Sequence, residues 1–329
     1  MPLGSMAMLH YKRSAFAALL GLLVLAVAIT PALGAGKATN RPKEQKVSLL
    51  YVLNAKGATF VPEGGSARRY RLTVKSPQHD VVWFSDRPER KSGTFPVGSL
   101  ADHWAGFGFG SDPPNVAIDY LDSHGRNRTV LVELADPRMR KGRLSFAARL
   151  LNPTAVTDRN LASHADAADA TPAHRMREVA LFVDDTKARV LDGCVLQPFT
   201  VCPGTHFGEA EFNGPSLSGA DLSGAELSGS SIAGEIENVD LSGADLSGAS
   251  LAGIYENVNF EGADLERAYL DESLFSNVNM ANANFLGTFV YKATFGNSNL
   301  RGAQRFELLQ ELKICNTTMP DGSINNTGC

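Results

Sequence analysis

Leu217-Ser218-Gly219-Ala220-Asp221-Leu222-Ser223-Gly224-Ala225-Glu226-Leu227 sets one large apolar residue at every fifth position. The pattern starts at Phe207 and runs through Phe212, Leu217, Leu222, Leu227 and Ile232. After Leu241, Leu246 and Leu251 it continues as Phe260, Leu265, Leu270, Phe275, Met280, Phe285, Val290, Phe295 and Leu300. Two steps are one residue short, and Ile236 and Tyr255 fill those slots. Two residues before each centre the side chain is small or β-branched, as at Ala210, Ala220, Val239, Ala263 and Val278; Pro215 is the exception. A period of five suits neither a helix, at about 3.6, nor a strand, at about 2. It suits a chain that turns a corner every five residues, with one large and one small side chain inside each side. Glycines two after a centre, such as Gly224 and Gly248, can supply the left-handed turn at the corner.

Ala220-Asp221-Leu222-Ser223-Gly224, Ala244-Asp245-Leu246-Ser247-Gly248 and Ala263-Asp264-Leu265 resemble the A(D/N)LXX consensus of the pentapeptide-repeat family. The resemblance implies a right-handed quadrilateral β-helix with four pentapeptides per coil, hence about five coils and a rod of roughly 24 Å at ~4.8 Å per coil. The motif is specific for fold and nearly silent on function.

Ile236 and Tyr255 lie 19 residues apart, one coil less a residue, and Phe275 and Phe295 continue the same side at intervals of 20. Asn238, Asn257, Asn277 and Asn297 should therefore stack at one corner as a structural ladder, asparagine replacing glycine at a turn. The residue before each centre points outward. Two adjoining sides carry Asp221, Asp240, Asn259, Asn279 and Asn299, and Glu226, Asp245, Asp264 and Asn284. The other two carry Ile254, Leu274, Tyr269 and Phe289, with Tyr291 beside them. These last five form a candidate interaction patch, to be covered by the N-terminal domain or by a second copy.

The flanks divide the chain. Residues 1–35 read as a signal peptide: Lys12 and Arg13, an apolar run from Ala15 to Ile29, Pro31, then the small-residue segment Ala32-Leu33-Gly34-Ala35. Met1 to Ser5 resembles a cloning scar. The run is short for a membrane span, so no stable span is expected once it is cleaved, and the destination is periplasmic or secreted. Residues 36–190 hold seven short strands, at 47–53, 69–74, 81–84, 116–120, 129–134, 144–151 and 179–183, and read as a β-sandwich-like domain. The segment Val81-Val-Trp-Phe-Ser-Asp-Arg-Pro88, with His103-Trp104 and Asp112-Pro-Pro-Asn115, resembles an uncharacterised domain of secreted bacterial proteins. Residues 191–303 form the rod with an N-terminal cysteine loop. In 304–329, Phe306, Leu308, Leu309 and Leu312 suggest a capping helix ahead of a cysteine-closed tail.

Four cysteines in an oxidising compartment suggest two disulfides, with three possible connectivities. The local pairs, Cys194–Cys202 and Cys315–Cys329, need the least ordering. No CxxC pair suggests zinc, and no other metal or cofactor is expected.

Charge is uneven. Residues 204–303 hold 14 Asp and Glu against Arg267, Lys292 and Arg301, a net of −11; the whole chain is −4, so the rest carries +7. Three functions follow. The first is an exported, non-enzymatic structural or interaction protein presenting rod faces to a protein partner or to a second copy, with no nucleic-acid role. The second rests on resemblance to fluoroquinolone-resistance pentapeptide proteins, acidic rods that mimic DNA and bind gyrase; an exported chain would not meet that enzyme. The third is an enzyme in the N-terminal domain around Ser85, Asp86, Arg87, His103 and Trp104, where no GxSxG elbow surrounds Ser85.

Overall fold

The computed structural model describes residues 42–65, 68–86, 90–151, 172–306, 309 and 312–329. The signal-like segment lies outside them. Residues 40–329 form one compact unit.

The first half is antiparallel sheet. Its strands are β1 (Glu44–Pro62), β2 (Arg69–Pro77), β3 (Asp80–Ser85), β4 (Ser92–Pro96), β5 (Asn115–Leu121), β6 (Asn127–Arg140), β7 (Arg143–Leu150), β8 (Arg175–Leu191) and β9 (Cys194–Leu196), with helix α1 (Val97–Asp102) after β4. Each of the seven expected strands coincides with one of these elements, the one expected at 144–151 overrunning β7 by Leu151. The order β4-β3-β1-β2-β7-β6-β5-β8-β9 closes on itself because β8 also pairs with β1. The sandwich-like layering is thus one sheet wrapped into a six-stranded ring, not two separate sheets. Two long strands make this possible. β1 spends Leu49–Val52 against β3 and Ala55–Pro62 against β2, while its other edge follows β8 from Glu44 to Thr59.

Inside the ring, alternate residues of each strand meet: Leu49, Tyr51, Leu53, Leu72, Val74, Ile118, Val130, Val132, Leu144, Phe146, Leu181 and Val183 are all buried. Trp104 enters this core against Phe109 and Phe146. Trp83 is half-buried and lies over Gly93 on the edge strand β4.

The second half is the rod, a stack of about five coils. One side is a parallel ladder of β10 (Glu211–Asn213), β11 (Ser231–Glu237), β12 (Ser250–Glu256), β13 (Leu274–Ser276), β14 (Thr294–Gly296) and β15 (Lys313–Cys315). The other sides are joined by single parallel bridges such as Asp240↔Asn259 and Glu226↔Asp245. Every repeat centre from Phe207 to Leu300 is buried except Val290, which is half-buried. Two polar residues at the small inner position, Thr288 and Ser298, donate to nearby carbonyls: Thr288 Oγ1 to Leu265 O at 2.8 Å and Ser298 Oγ to Gly296 O at 2.8 Å.

The two short steps have a visible effect. Where a residue is missing, the corner is drawn out into a seven-residue strand, β11 and β12. Gly234 and Gly253 pair across these strands. A Cβ on Gly253 would lie 2.2 Å from Gly234 O, so the flattened corner excludes any side chain.

Both ends are closed. The ring sits on the first coil: Leu191, Cys194 and Leu196 join the rod's core, Phe199 stacks near Phe95, and Arg189 donates to Glu211 O at 3.1 Å. At the far end Phe306 stands edge-on to Phe285 and Phe295, with Leu309 and Leu312 packed against the same core. Leu308 and most of the expected capping helix lie outside the described residues. The final tail adds one more strand: Ile314 pairs with Phe295, and β16 (Thr317–Thr318) and β17 (Ile324–Asn325) form a small hairpin. Cys194 is bonded to Cys202 and Cys315 to Cys329; the first joins the ring's last strand to the rod, the second ties down the tail.

Candidate functional site

Residues flanking each centre face outward, so the rod's surface chemistry is set by which side chains occupy those slots. On the two sides named for Asp and Asn, the slot before the centre has a structural task. Asp240, Asp245 and Asp264 each accept, through Oδ1, the backbone N–H two residues on, from Ser242, Ser247 and Glu266, at 2.9, 2.9 and 3.0 Å. These Asx turns shape the corners. Along one side the amides then run coil to coil: Asn259 to Asp240 at 3.1 Å, Asn279 to Asn259 at 3.1 Å and Asn299 to Asn279 at 3.0 Å.

Asn238, Asn257, Asn277 and Asn297 stand at one corner with φ of 58°, 55°, 55° and 50°. Asn257 bonds to Asn238 at 3.3 Å, and Asn316 extends the column by donating to Asn297 at 2.8 Å. The more continuous ladder is therefore the Asp240–Asn299 row beside this corner. Asn316 escaped the sequence reading because the step from Phe295 to Ile314 is again one residue short.

The other two sides break the polar rule. Ile254 and Leu274 are direct partners in the parallel ladder, and Tyr269 is bridged to Phe289 in the next coil. The Tyr269 and Phe289 rings stack on the outside, 5.0 Å apart and 11° from parallel. Tyr291 lies beside them under the Lys292 ammonium, 4.4 Å from the ring centre. Ile254, Tyr269, Leu274, Phe289 and Tyr291 are 43, 45, 39, 53 and 46% exposed, and Leu286, 44% exposed, extends the stripe around the next corner. Leu286 occupies the slot after a centre, where other coils carry Ser242, Ser247, Glu261 or Glu266; that contrast was the available signal. Among the described residues the ring meets the rod at its first coil, and the patch residues of these later coils are exposed.

The described enzyme candidates have separate neighbours. Trp104 is in the ring's core, and His103 stands edge-on to Phe199 with centroids 5.0 Å apart. The Ser85 hydroxyl accepts from Lys91 N at 2.7 Å, closing the turn after β3. Asp86 N donates to Ser48 O, and Arg87 lies outside the described residues. At the ring–rod junction a cavity of about 400 Å³ is lined by Tyr51, Phe107, Phe109, Asp184, Asp185 and Gln197, among others. Tyr51 donates to Gln197 Oε1 at 2.8 Å, and burial together with the neighbouring Asp185 charge pushes its phenol well above the usual value. Among the described residues no group of three or more His, Cys, Asp or Glu is placed to hold a metal ion. No helix among them is long and apolar enough to cross a membrane.

Residues 199–231 and 259–297 match the pentapeptide-repeat family in eight copies. The rod of this chain thus carries pentapeptide repeats. Solved structures of pentapeptide-repeat proteins are similar to this chain over part of its length. A pentapeptide repeat protein from the cyanobacterium Cyanothece 51142 is 17% identical, with 30% of this chain and 81% of that one covered and a TM-score of 0.22. A trypsin-treated form of QnrB1, a plasmid-mediated fluoroquinolone resistance protein, is 15% identical, covering 36% and 70%, at 0.21. A pentapeptide repeat protein of the Arabidopsis thaliana thylakoid lumen is 24% identical, covering 34% and 69%, at 0.12. At such scores nothing about partner or role follows from them. No curated protein matches the sequence.

Proposed function

We propose that this chain is an exported, non-enzymatic interaction protein whose rod offers its apolar stripe to a second copy. The observation that carries this reading is the continuous run of Leu286, Phe289, Tyr269, Tyr291, Leu274 and Ile254 across two adjoining sides. Six such side chains leave on the order of 500 Å² of apolar surface in one place, the size at which a patch on a monomer calls for a partner. With a polar rim, that is most of the ~800 Å² per subunit of a stable interface.

The rim favours a second copy over an unrelated partner. Asp271 and Glu272 occupy the same corner slots as Tyr291 and Lys292, one coil away. Two rods meeting antiparallel about a two-fold axis between these coils set Tyr269 against the other copy's Phe289. The same axis sets Glu272 against the other copy's Lys292. Export is supported by the signal-like segment 1–35 and by the two disulfides. Four aspartates of the opposite sides, Asp221, Asp240, Asp245 and Asp264, are used in Asx turns, a structural task that does not call on DNA mimicry.

Sedimentation of the full chain and of Leu274→Asp tests the interface. A concentration-dependent dimer lost in the variant, with unchanged β circular dichroism, is expected. A wild-type chain that stays monomeric at all concentrations overturns the second-copy reading. A reporter fused after residue 45 that remains cytoplasmic overturns export.

A further inference from the structure

Eight cationic side chains, Arg69, Arg71, Lys75, Arg138, Arg140, Lys141, Arg143 and Arg149, gather on one outer face of the ring. Along β2 the inward residues are Leu72 and Val74, so Arg69, Arg71, Thr73 and Lys75 point out. Along β7 the inward residues are Leu144, Phe146 and Ala148, leaving Arg143, Ser145 and Arg149 outside. At the end of β6, Arg138 and Arg140 are exposed. The β6–β7 hairpin turns on Lys141 and Gly142, with φ of 49° and 69°, and so holds Arg140, Lys141 and Arg143 together at its tip.

Register places like charges directly opposite one another: Arg69 faces Arg149, Lys75 faces Arg143 and Arg140 faces Arg143. Such pairs destabilise a sheet. Among the described residues, two cations of this face have acidic partners. Arg71 bonds to Glu63 at 2.9 Å and Arg149 to Glu133 at 3.0 Å. Arg69, Lys75, Arg138, Arg140, Lys141 and Arg143 pair with no carboxylate among the described residues. The groove between them, about 550 Å³, is lined by Arg71, Thr73, Arg140, Lys141, Arg143 and Ser145. Thr73 and Ser145 are cross-strand partners, so two hydroxyls lie among the guanidinium groups. Folding gains nothing from this arrangement, whereas guanidinium forks and hydroxyls are the donors that closely spaced oxyanions need.

We infer that this groove binds an acidic polysaccharide carrying sulfate or phosphate groups. The choice of a glycan rests on the export reading and on the lining itself. No aromatic ring lines the groove, so single-stranded bases have nothing to stack on. The rod of a second copy is a poor occupant: its Asp240, Asp245 and Asp264 are engaged in Asx turns, and its outward row changes to Asn259, Asn279 and Asn299 in later coils. The net −11 of the rod also repels a polyanion from that half of the molecule and leaves the ring face as its place of attachment.

The test is binding of a sulfated heparin octasaccharide to the full chain over a series of salt concentrations. Affinity should fall as salt rises, and the double variant Arg140→Gln, Arg143→Gln should lose at least about 10-fold at low salt. Its melting temperature should equal or exceed the parent's, since a like-charge pair is relieved. Arg149→Gln, which removes an equally exposed but paired cation, should bind nearly as well as the parent. Three results overturn the inference: no binding at about 50 mM salt, equal losses in the Arg149 and Arg140/Arg143 variants, or tighter binding of duplex DNA of matched charge. A fourth is salt-reversible self-association, without glycan, that the double variant abolishes; the face would then meet another copy. Because binding is measured in vitro, a failure of export in the reporter assay leaves this result readable on its own.

Discussion

Phe275 stacks on Tyr255, with ring centroids 5.0 Å apart and 19° from parallel, and the tyrosine hydroxyl donates to Ile232 O at 2.7 Å inside the rod. Burial pushes the phenol's ionisation upward, so it remains a donor at any ordinary pH. Tyr255→Phe keeps the stack and loses the hydrogen bond. The expected cost is about 1 kcal/mol, read as a small drop in the thermal midpoint with unchanged circular dichroism. Leu246→Asp, at a fully buried centre, sets the other end of the scale. An unpaired charge in the interior should cost several kcal/mol. Equal melts for Leu246→Asp and the parent would mean that the centres do not face inward.

The flattened corner gives a steric prediction. A methyl group on residue 253 would collide with the Gly234 carbonyl in the coil below. Gly253→Ala should destabilise by about 1–3 kcal/mol, as overpacking does. Chemical denaturation should show a lower midpoint. A midpoint equal to the parent's would mean that the two coils separate more easily than their register implies.

The Cys194–Cys202 bond closes a short loop across the junction of ring and rod. In the chain-entropy account a loop of this length is worth roughly 2–3 kcal/mol. Replacing both cysteines by serine should therefore lower stability by that order. Limited proteolysis should find new cleavage between residues 191 and 205. A cleavage pattern identical to the parent's would show that apolar packing alone fastens the junction.

Asp122 supplies a pH dependence. The backbone N–H of Arg126 at 3.0 Å, that of His124 at 2.8 Å and the Arg126 guanidinium at 2.9 Å all donate to its carboxylate. Led by the Arg126 backbone bond, they hold it well below the usual carboxylate range, against the opposing effect of burial. A folded value below the unfolded one contributes stability above the unfolded pKa, about 3.9 for Asp. That contribution is lost as pH falls from there through the folded value. Melting temperature should decline below about pH 4, and Asp122→Asn should melt lower at neutral pH with a flatter acid limb. Parallel pH profiles would assign the acid sensitivity to other groups.

The rod was legible residue by residue because its contacts are local in sequence: Leu222 meets Leu241 one coil on, and a fixed period exposes that relation. The outward positions of Ile254, Tyr269, Leu274, Phe289 and Tyr291 followed from the same count. Leu286 was missed because only the slot before each centre was compared across coils. The ring's strands were readable from alternation, yet its closure was not. The pairing of Val47 with Ala188 spans the whole domain, and no local pattern announces it. The basic face was hidden for the same reason. Net charge told that the ring was positive, but only cross-strand register brings Lys75, Arg140 and Arg143 together.

Sealed by the ring below and by Phe306 and the tail above, the stack can neither lengthen by recruiting another strand nor shorten by fraying. Its height is therefore a gauge. The distance from the ring's cationic face to the outward Tyr269–Phe289 pair is fixed by how many coils intervene. Inserting or deleting one 20-residue coil would change it in a single increment of about 4.8 Å, while a quarter-coil change of five residues would rotate the stripe by one side instead.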